Sequence, residues 1–111
     1  MQDIVKENLE IESRPGCIAA ALYVLGNKWT ALIVNELYDR PARFSALEHA
    51  LVGISPRTLS QRLDELEEQK FITKKSFAEV PPRVEYTLTQ KGRDLIPILK
   101  SMADWGDKHS K

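Results

Sequence analysis

The stretch SPRTLSQRLDELEEQ, from Ser55 to Gln69, gathers hydrogen-bonding side chains at one end and carboxylates at the other. Ser55, Arg57, Thr58, Ser60, Gln61 and Arg62 come first; Asp64, Glu65, Glu67 and Glu68 follow. A helix under no demand except solubility would reverse that order, complementing its dipole with acids at the amino end and bases at the carboxyl end. The observed order suits a helix whose amino end meets an anion. Arginine reads guanine edges, glutamine reads adenine, and serine or threonine reads either, while free N–H groups at a helix start favour phosphate. On a wheel of about 100° per residue, Leu59, Leu63 and Leu66 form one stripe. Arg57 and Gln61 lie nearly opposite that stripe, with Thr58 and Ser60 on its flanks. The spacing predicts an outward face of donors in the first half and a solvated acidic face in the second.

Other residues with chemical potential are few. Cys17 is the only cysteine, so no internal disulfide framework exists. It follows Pro15-Gly16 at a helix start, a position that suits a reactive thiol. A lone cysteine beside Ile18, Ala19 and Ala20 is more often a small buried hydrophobe. His49 and His109 have no thiol or imidazole at ligand spacing, so no metal site is expected. The chain shows no glycine-rich phosphate loop and no nucleophile elbow. The acids from Asp64 to Glu68 spread around a helix instead of pairing in an apolar setting. Neither catalysis nor a cofactor is expected.

The elements that must hold these residues follow from periodicity and caps. CIAAALYVLG predicts a short apolar helix ending at Gly26, and Asn27 caps KWTALIVNELYDR, which Pro41 ends. A third helix is expected over Ser45 to Leu51, with Ser45 as its cap and Glu48 at capping-box spacing. Val52-Gly53-Ile54 turns the chain, and Ser55 caps the charge-sorted helix with Pro56 at its first position. From Phe71 the period becomes two. FITKKSF and RVEYTLT read as strands around the proline-stiffened tip AEVPP. TQKGRDLIPILKSMADWG reads as a last helix capped by Thr89 and bent at Pro97, with Leu95, Ile98, Leu99 and Met102 on one side.

Bulk properties bound the function. At 111 residues, 42% hydrophobic and 29% charged, the composition predicts one globular domain over 1–111. No apolar run is long enough to span a bilayer, and MQDIVKENLEIESR lacks a signal-peptide core, so a cytoplasmic location is expected. The 16 basic and 16 acidic residues cancel, so no overall basic footprint advertises nucleic acid. The distribution is more telling. Lys70, Lys74, Lys75, Arg83, Lys91 and Arg93 stand against only Glu79 and Glu85, and a neutral chain binds a polyanion through such a stretch.

A short helix, a glycine turn and a donor-bearing second helix make a helix-turn-helix over 44–69, and the hairpin over 70–88 adds a basic wing. The fold class expected is mainly α with a small β-hairpin. With GNKW, RFSALEHALVGIS, LSQRLDELEEQ and VPPRVEYTLTQKG in order, Cys17 to Gly106 resembles the HxlR-type winged-helix transcriptional regulators. The resemblance implies a bacterial or archaeal DNA-binding homodimer, a recognition helix beginning at Ser55 and a wing tip at Pro81-Pro82. It also implies that Cys17 is a candidate sensor of oxidants or electrophiles, as in some relatives.

These readings combine. Arg57, Thr58, Ser60 and Gln61 are expected to read bases, with Ser55 presenting the helix start. Arg62, Lys74, Lys75 and Arg83 are expected to hold phosphates or the minor groove. A minimal winged helix is complete from Trp29 to Leu88. The arm over 1–16 precedes it. Ile18, Leu22, Tyr23 and Leu25 on one side, and Leu95, Ile98, Leu99, Met102 and Trp105 on the other, predict an apolar two-fold interface, with 89–106 as a dimerisation helix. Double-stranded DNA and a second copy are the expected partners, and no membrane is. Net neutrality keeps one alternative in view: a winged helix that binds protein and not DNA.

Overall fold

The computed structural model describes residues 17–110, so the arm expected over 1–16 lies outside the described residues. Cys17 caps α1 (Ile18–Leu25), its Sγ accepting from the Ala20 N–H at 3.3 Å. Gly26 closes the helix by donating to the Leu22 carbonyl at 2.7 Å. The chain then turns by 80° into α2 (Lys28–Glu36), where the Asn27 side chain accepts from the N–H groups of Trp29 and Thr30 at 2.9 and 3.2 Å. Two otherwise orphaned donors are satisfied by one residue. Ile33, Val34 and Leu37 are thereby turned into the core.

After Pro41 comes a strand that the two-residue period could not reveal. β1 (Ala42–Arg43) pairs antiparallel with β3, placing Ala42 opposite Tyr86 and Arg43 opposite Glu85. This pairing corrects the expected start of the third helix. Arg43 is held extended and launches α3 (Phe44–Ala50) with no side-chain cap, so Ser45 falls inside the first turn and caps nothing. Leu47 is fully buried, as its spacing required. The following turn depends on Gly53, whose φ of 95° is a conformation that side chains with a Cβ resist.

α4 (Pro56–Glu68) starts as expected, with Ser55 Oγ accepting from the Thr58 N–H at 3.0 Å and Pro56 in the first turn. Leu59, Leu63 and Leu66 are buried along it. It ends in a Schellman turn: Lys70 donates to Glu67 and Phe71 to Leu66, at 3.0 and 2.9 Å. Lys70 holds the left-handed position, φ 67°, that glycine usually takes.

β2 (Ile72–Phe77) and β3 (Arg83–Leu88) form the hairpin, with Ile72 opposite Leu88 and Phe77 opposite Arg83. The sheet order is β1-β3-β2. Thr89 then ties hairpin to helix, accepting from the Gly92 N–H at 3.2 Å and donating to the Lys70 carbonyl at 2.7 Å. Gly92 sits so close to the chain after α4 that a Cβ there would meet the Phe71 carbonyl oxygen at 2.3 Å.

The last segment is two helices where one bent helix was expected. α5 (Gln90–Arg93) stops, and α6 (Ile96–His109) restarts with Pro97 in its first turn. Proline lacks the N–H and collides with the carbonyl four residues back, so the helix breaks before it. α6 packs on α2 through buried Ile96 and Leu99. Leu99 therefore belongs to the core, and Leu25 and Leu95 pack against it half-buried, a correction to their expected place in an outer face. Ile18, Leu22, Tyr23, Ile98, Met102 and Trp105 stay exposed, Trp105 at 68%. Among the described residues, no single helix is long and apolar enough to cross a membrane.

Candidate nucleic-acid interface

α4 presents its polar residues as the wheel required. Arg57, Ser60 and Gln61 are exposed, and Thr58 is half-buried. No acidic residue lies in the first turn and no basic residue in the last, so the electropositive amino end carries added positive charge. Arg57 joins no ion pair among the described residues. Ser55 has a structural duty too: besides capping, its hydroxyl donates to Thr58 Oγ1 at 2.9 Å. Thr58 keeps its own hydroxyl hydrogen to offer.

The second arginine of the helix is differently placed. Arg62 Nη1 donates to Glu65 Oε1 at 2.8 Å, with the arginine side chain 22% exposed and its Nε shut away from solvent without a partner. The acids that follow, Asp64, Glu67 and Glu68, are exposed.

The wing sorts its cations by strand alternation. Lys74 stands opposite buried Tyr86 and shares its side of the sheet, facing the acidic half of α4. Burial raises the Tyr86 phenol pKa above its ordinary value; Lys74 opposes the shift, and Asp64 and Glu67 add to it. Lys75 points to the other side, opposite Glu85, with its ammonium 5.2 Å from the centre of the Phe77 ring. Adjacent lysines thus serve opposite faces. Arg83 Cζ sits 4.0 Å from the centre of the Phe77 ring, and the guanidinium reaches Glu79 at 3.0 Å and Glu85 at 3.7 Å, its Nε also buried without a partner. It is clasped within the wing. Val80, at the tip, is fully exposed.

One cation escaped the sequence reading. Arg43 in β1 pairs with Glu85, which pairs in turn with Lys75, so Lys75, Glu85 and Arg43 form a row across the sheet. The only signal was RPAR, and a two-residue strand carries no period. Cys17 is half-buried at the head of α1, its sulfur occupied by the cap bond. Among the described residues, no group of three or more His, Cys, Asp or Glu side chains is placed to hold a metal ion.

Known proteins are similar to this chain in sequence and fold. An uncharacterized HTH-type transcriptional regulator of Methanothermobacter thermautotrophicus is 40% identical over 89 residues, covering 80% of this chain and 68% of the relative. A solved structure from Porphyromonas gingivalis, assigned to the MarR family of regulators, is 36% identical with a TM-score of 0.79, covering 83% of this chain and 90% of that one. The redox regulator HypR in its reduced form is 33% identical with a TM-score of 0.80, covering 85% of this chain and 93% of that one. Residues 24–111 match the HxlR-like helix-turn-helix family, and with this fold and these relatives the chain belongs to that family of transcriptional regulators.

Proposed function

We propose that the chain binds double-stranded DNA in a sequence-specific manner, as a homodimer on a palindromic operator. One observation carries the reading: the first turns of α4 expose Arg57, Ser60 and Gln61 at a helix end with no acid in it. Arg57, Thr58, Ser60 and Gln61 read base edges in the major groove, and Ser55 sets the end of the helix that enters it. Lys75 and Lys74 hold backbone from the two sides of the wing. Arg62 and Arg83 contribute to phosphates or the minor groove only after leaving Glu65 and Glu79. The terminal helices supply the two-fold contact through Ile18, Leu22, Tyr23, Ile98, Met102 and Trp105, all exposed in the single chain. Two recognition helices then lie roughly 34 Å apart and meet successive major grooves. A cytoplasmic site of action follows from a genomic target.

Selection of bound sequences from random duplex DNA tests this directly. A palindromic consensus, with affinity falling steeply as salt rises, is the expected result. No enrichment, together with weak binding at low salt, favours the protein-interaction alternative that net neutrality suggested. Sedimentation at micromolar concentration checks the dimer, and a monomer there removes the palindrome from the proposal.

Cys17 is the thiol we assign to control of binding. HypR, solved in oxidized and reduced forms, is a redox regulator of the same fold, and here Cys17 heads the helix that carries part of the exposed apolar face. Cys17→Ser should make operator release insensitive to peroxide or diamide; unchanged release by either reagent removes the assignment.

A further inference from the structure

The end of the wing is built without a free charge. Between the paired residues Phe77 and Arg83 the tip runs Ala78-Glu79-Val80-Pro81-Pro82, all exposed, and its one charged side chain, Glu79, is held by Arg83 at 3.0 Å. Val80 is the most exposed large apolar side chain among the described residues. A lone exposed valine is ordinary on a protein surface. This one stands with two prolines at the end of an arm whose strand carries Lys74 and Lys75, in a turn where polar residues and glycine are the usual choice.

The tip is also stiff. The Glu79 N–H donates to the Phe77 carbonyl at 2.9 Å, and Pro81 and Pro82 fix φ at two successive positions. Arg83 ties strand to tip, with its Cζ 4.0 Å from the Phe77 ring centre while the guanidinium holds Glu79. A knob already ordered loses little freedom on binding. The same ion pair cancels the carboxylate that phosphates would repel. The six residues of β2 carry the tip roughly 17 Å from the base of the wing. The arm is long enough to reach past the groove that α4 occupies.

We propose that Val80 is a specificity-determining residue, an apolar wedge that enters the minor groove beside each half-site and selects DNA by how readily that groove widens. The groove is about 6 Å wide and admits a side chain on a turn, not a helix. Its walls are sugars, which an apolar side chain can press against without losing a hydrogen bond. An apolar group pushed in spreads the groove, which is easiest at flexible pyrimidine–purine steps and hardest in stiff, narrow A-tracts. Val80 thereby sets a preference outside the bases that α4 reads, and Arg83 serves it in place, as the residue that stiffens and neutralises the tip. The wedge rests on the DNA-binding reading above.

Fluorescence anisotropy of the full chain on two duplexes tests it. Both carry the same selected half-sites, one flanked by TA steps and the other by A-tracts. The parent chain should prefer the TA flank by ~5-fold or more. Val80→Ala and Val80→Asn should lose most of that preference, with the salt slope and the melting temperature unchanged, since neither an ion contact nor a buried group is removed. No flank preference in the parent chain, or one that both variants keep, overturns the wedge. So does a salt slope that falls in Val80→Ala, which would make the tip a phosphate contact. DNA affinity untouched by either variant overturns it as well and gives the tip to another partner, such as a protein. In each of these cases Arg57→Ala still shows whether α4 reads bases, so the DNA-binding reading stands or falls by itself. A parent chain that selects no sequence removes both.

Discussion

Arg57 on α4 and Arg83 on the wing are the same residue type, each with further cations nearby in the sequence. Their surroundings differ. Arg57 projects from a helix turn without acids, whereas Arg83 is stacked on Phe77 and held by Glu79 and Glu85. The difference teaches that local charge counts cations without saying which are free to act. Helix geometry separates Arg57 from its acidic neighbours by sending them to the far end. Strand and turn geometry brings Glu79 and Glu85 back onto Arg83, because residues two apart share a face and a tip loop folds over it.

The comparison is sharpened first by a residue that belongs to neither class. Leu59 is fully buried behind the recognition surface, and Leu59→Ala should cost ~2–5 kcal/mol of stability in urea titration. A smaller loss would mean that the face opposite Arg57 is not anchored as described. Arg57→Ala should cost ~1–3 kcal/mol of operator affinity and relax one base position, with little change in melting temperature. If operator binding is untouched, the contrast with Arg83 loses its meaning. Lys75→Ala should reduce the salt slope of DNA binding by about one unit, and Lys74→Ala by less, since Lys74 faces the acidic half of α4. Equal slopes would erase the assignment of the two lysines to opposite faces. The smallest effect expected is Glu79→Gln, which loosens the clasp on Arg83 and should steepen the salt slope by a fraction of a unit. A slope made shallower would show that Glu79 positions the wing and does not restrain it.

Where a single residue and its immediate neighbours decide the outcome, the chain announced its structure in advance. Asn27, Ser55 and Thr89 cap the helices they precede, and Leu59, Leu63 and Leu66 are buried at the expected spacing. Where a distant partner decides, it did not. β1 exists because β3 lies alongside it, and that pairing, absent from the local pattern, moved the start of α3 away from Ser45. Pro97 signalled a disturbance, but not that the helix would stop at Arg93 and restart at Ile96 with Ile96 and Leu99 buried. Lys70 in a left-handed conformation was likewise hidden, since a glycine would have marked that stop and lysine does not. The candidate site divides the same way. Outward placement of Arg57 and Gln61 follows from the wheel, but the engagement of Arg62 and Arg83 depends on which acids the fold returns to them.

The short ladder between β1 and β3 has a mechanical meaning. It fastens the base of the hairpin to the residue from which α3 departs, with Arg43 as both the last rung and the first step into the helix. The base of the wing and the start of α3 thus share one attachment, and a substitution that breaks the ladder is expected to loosen both at once.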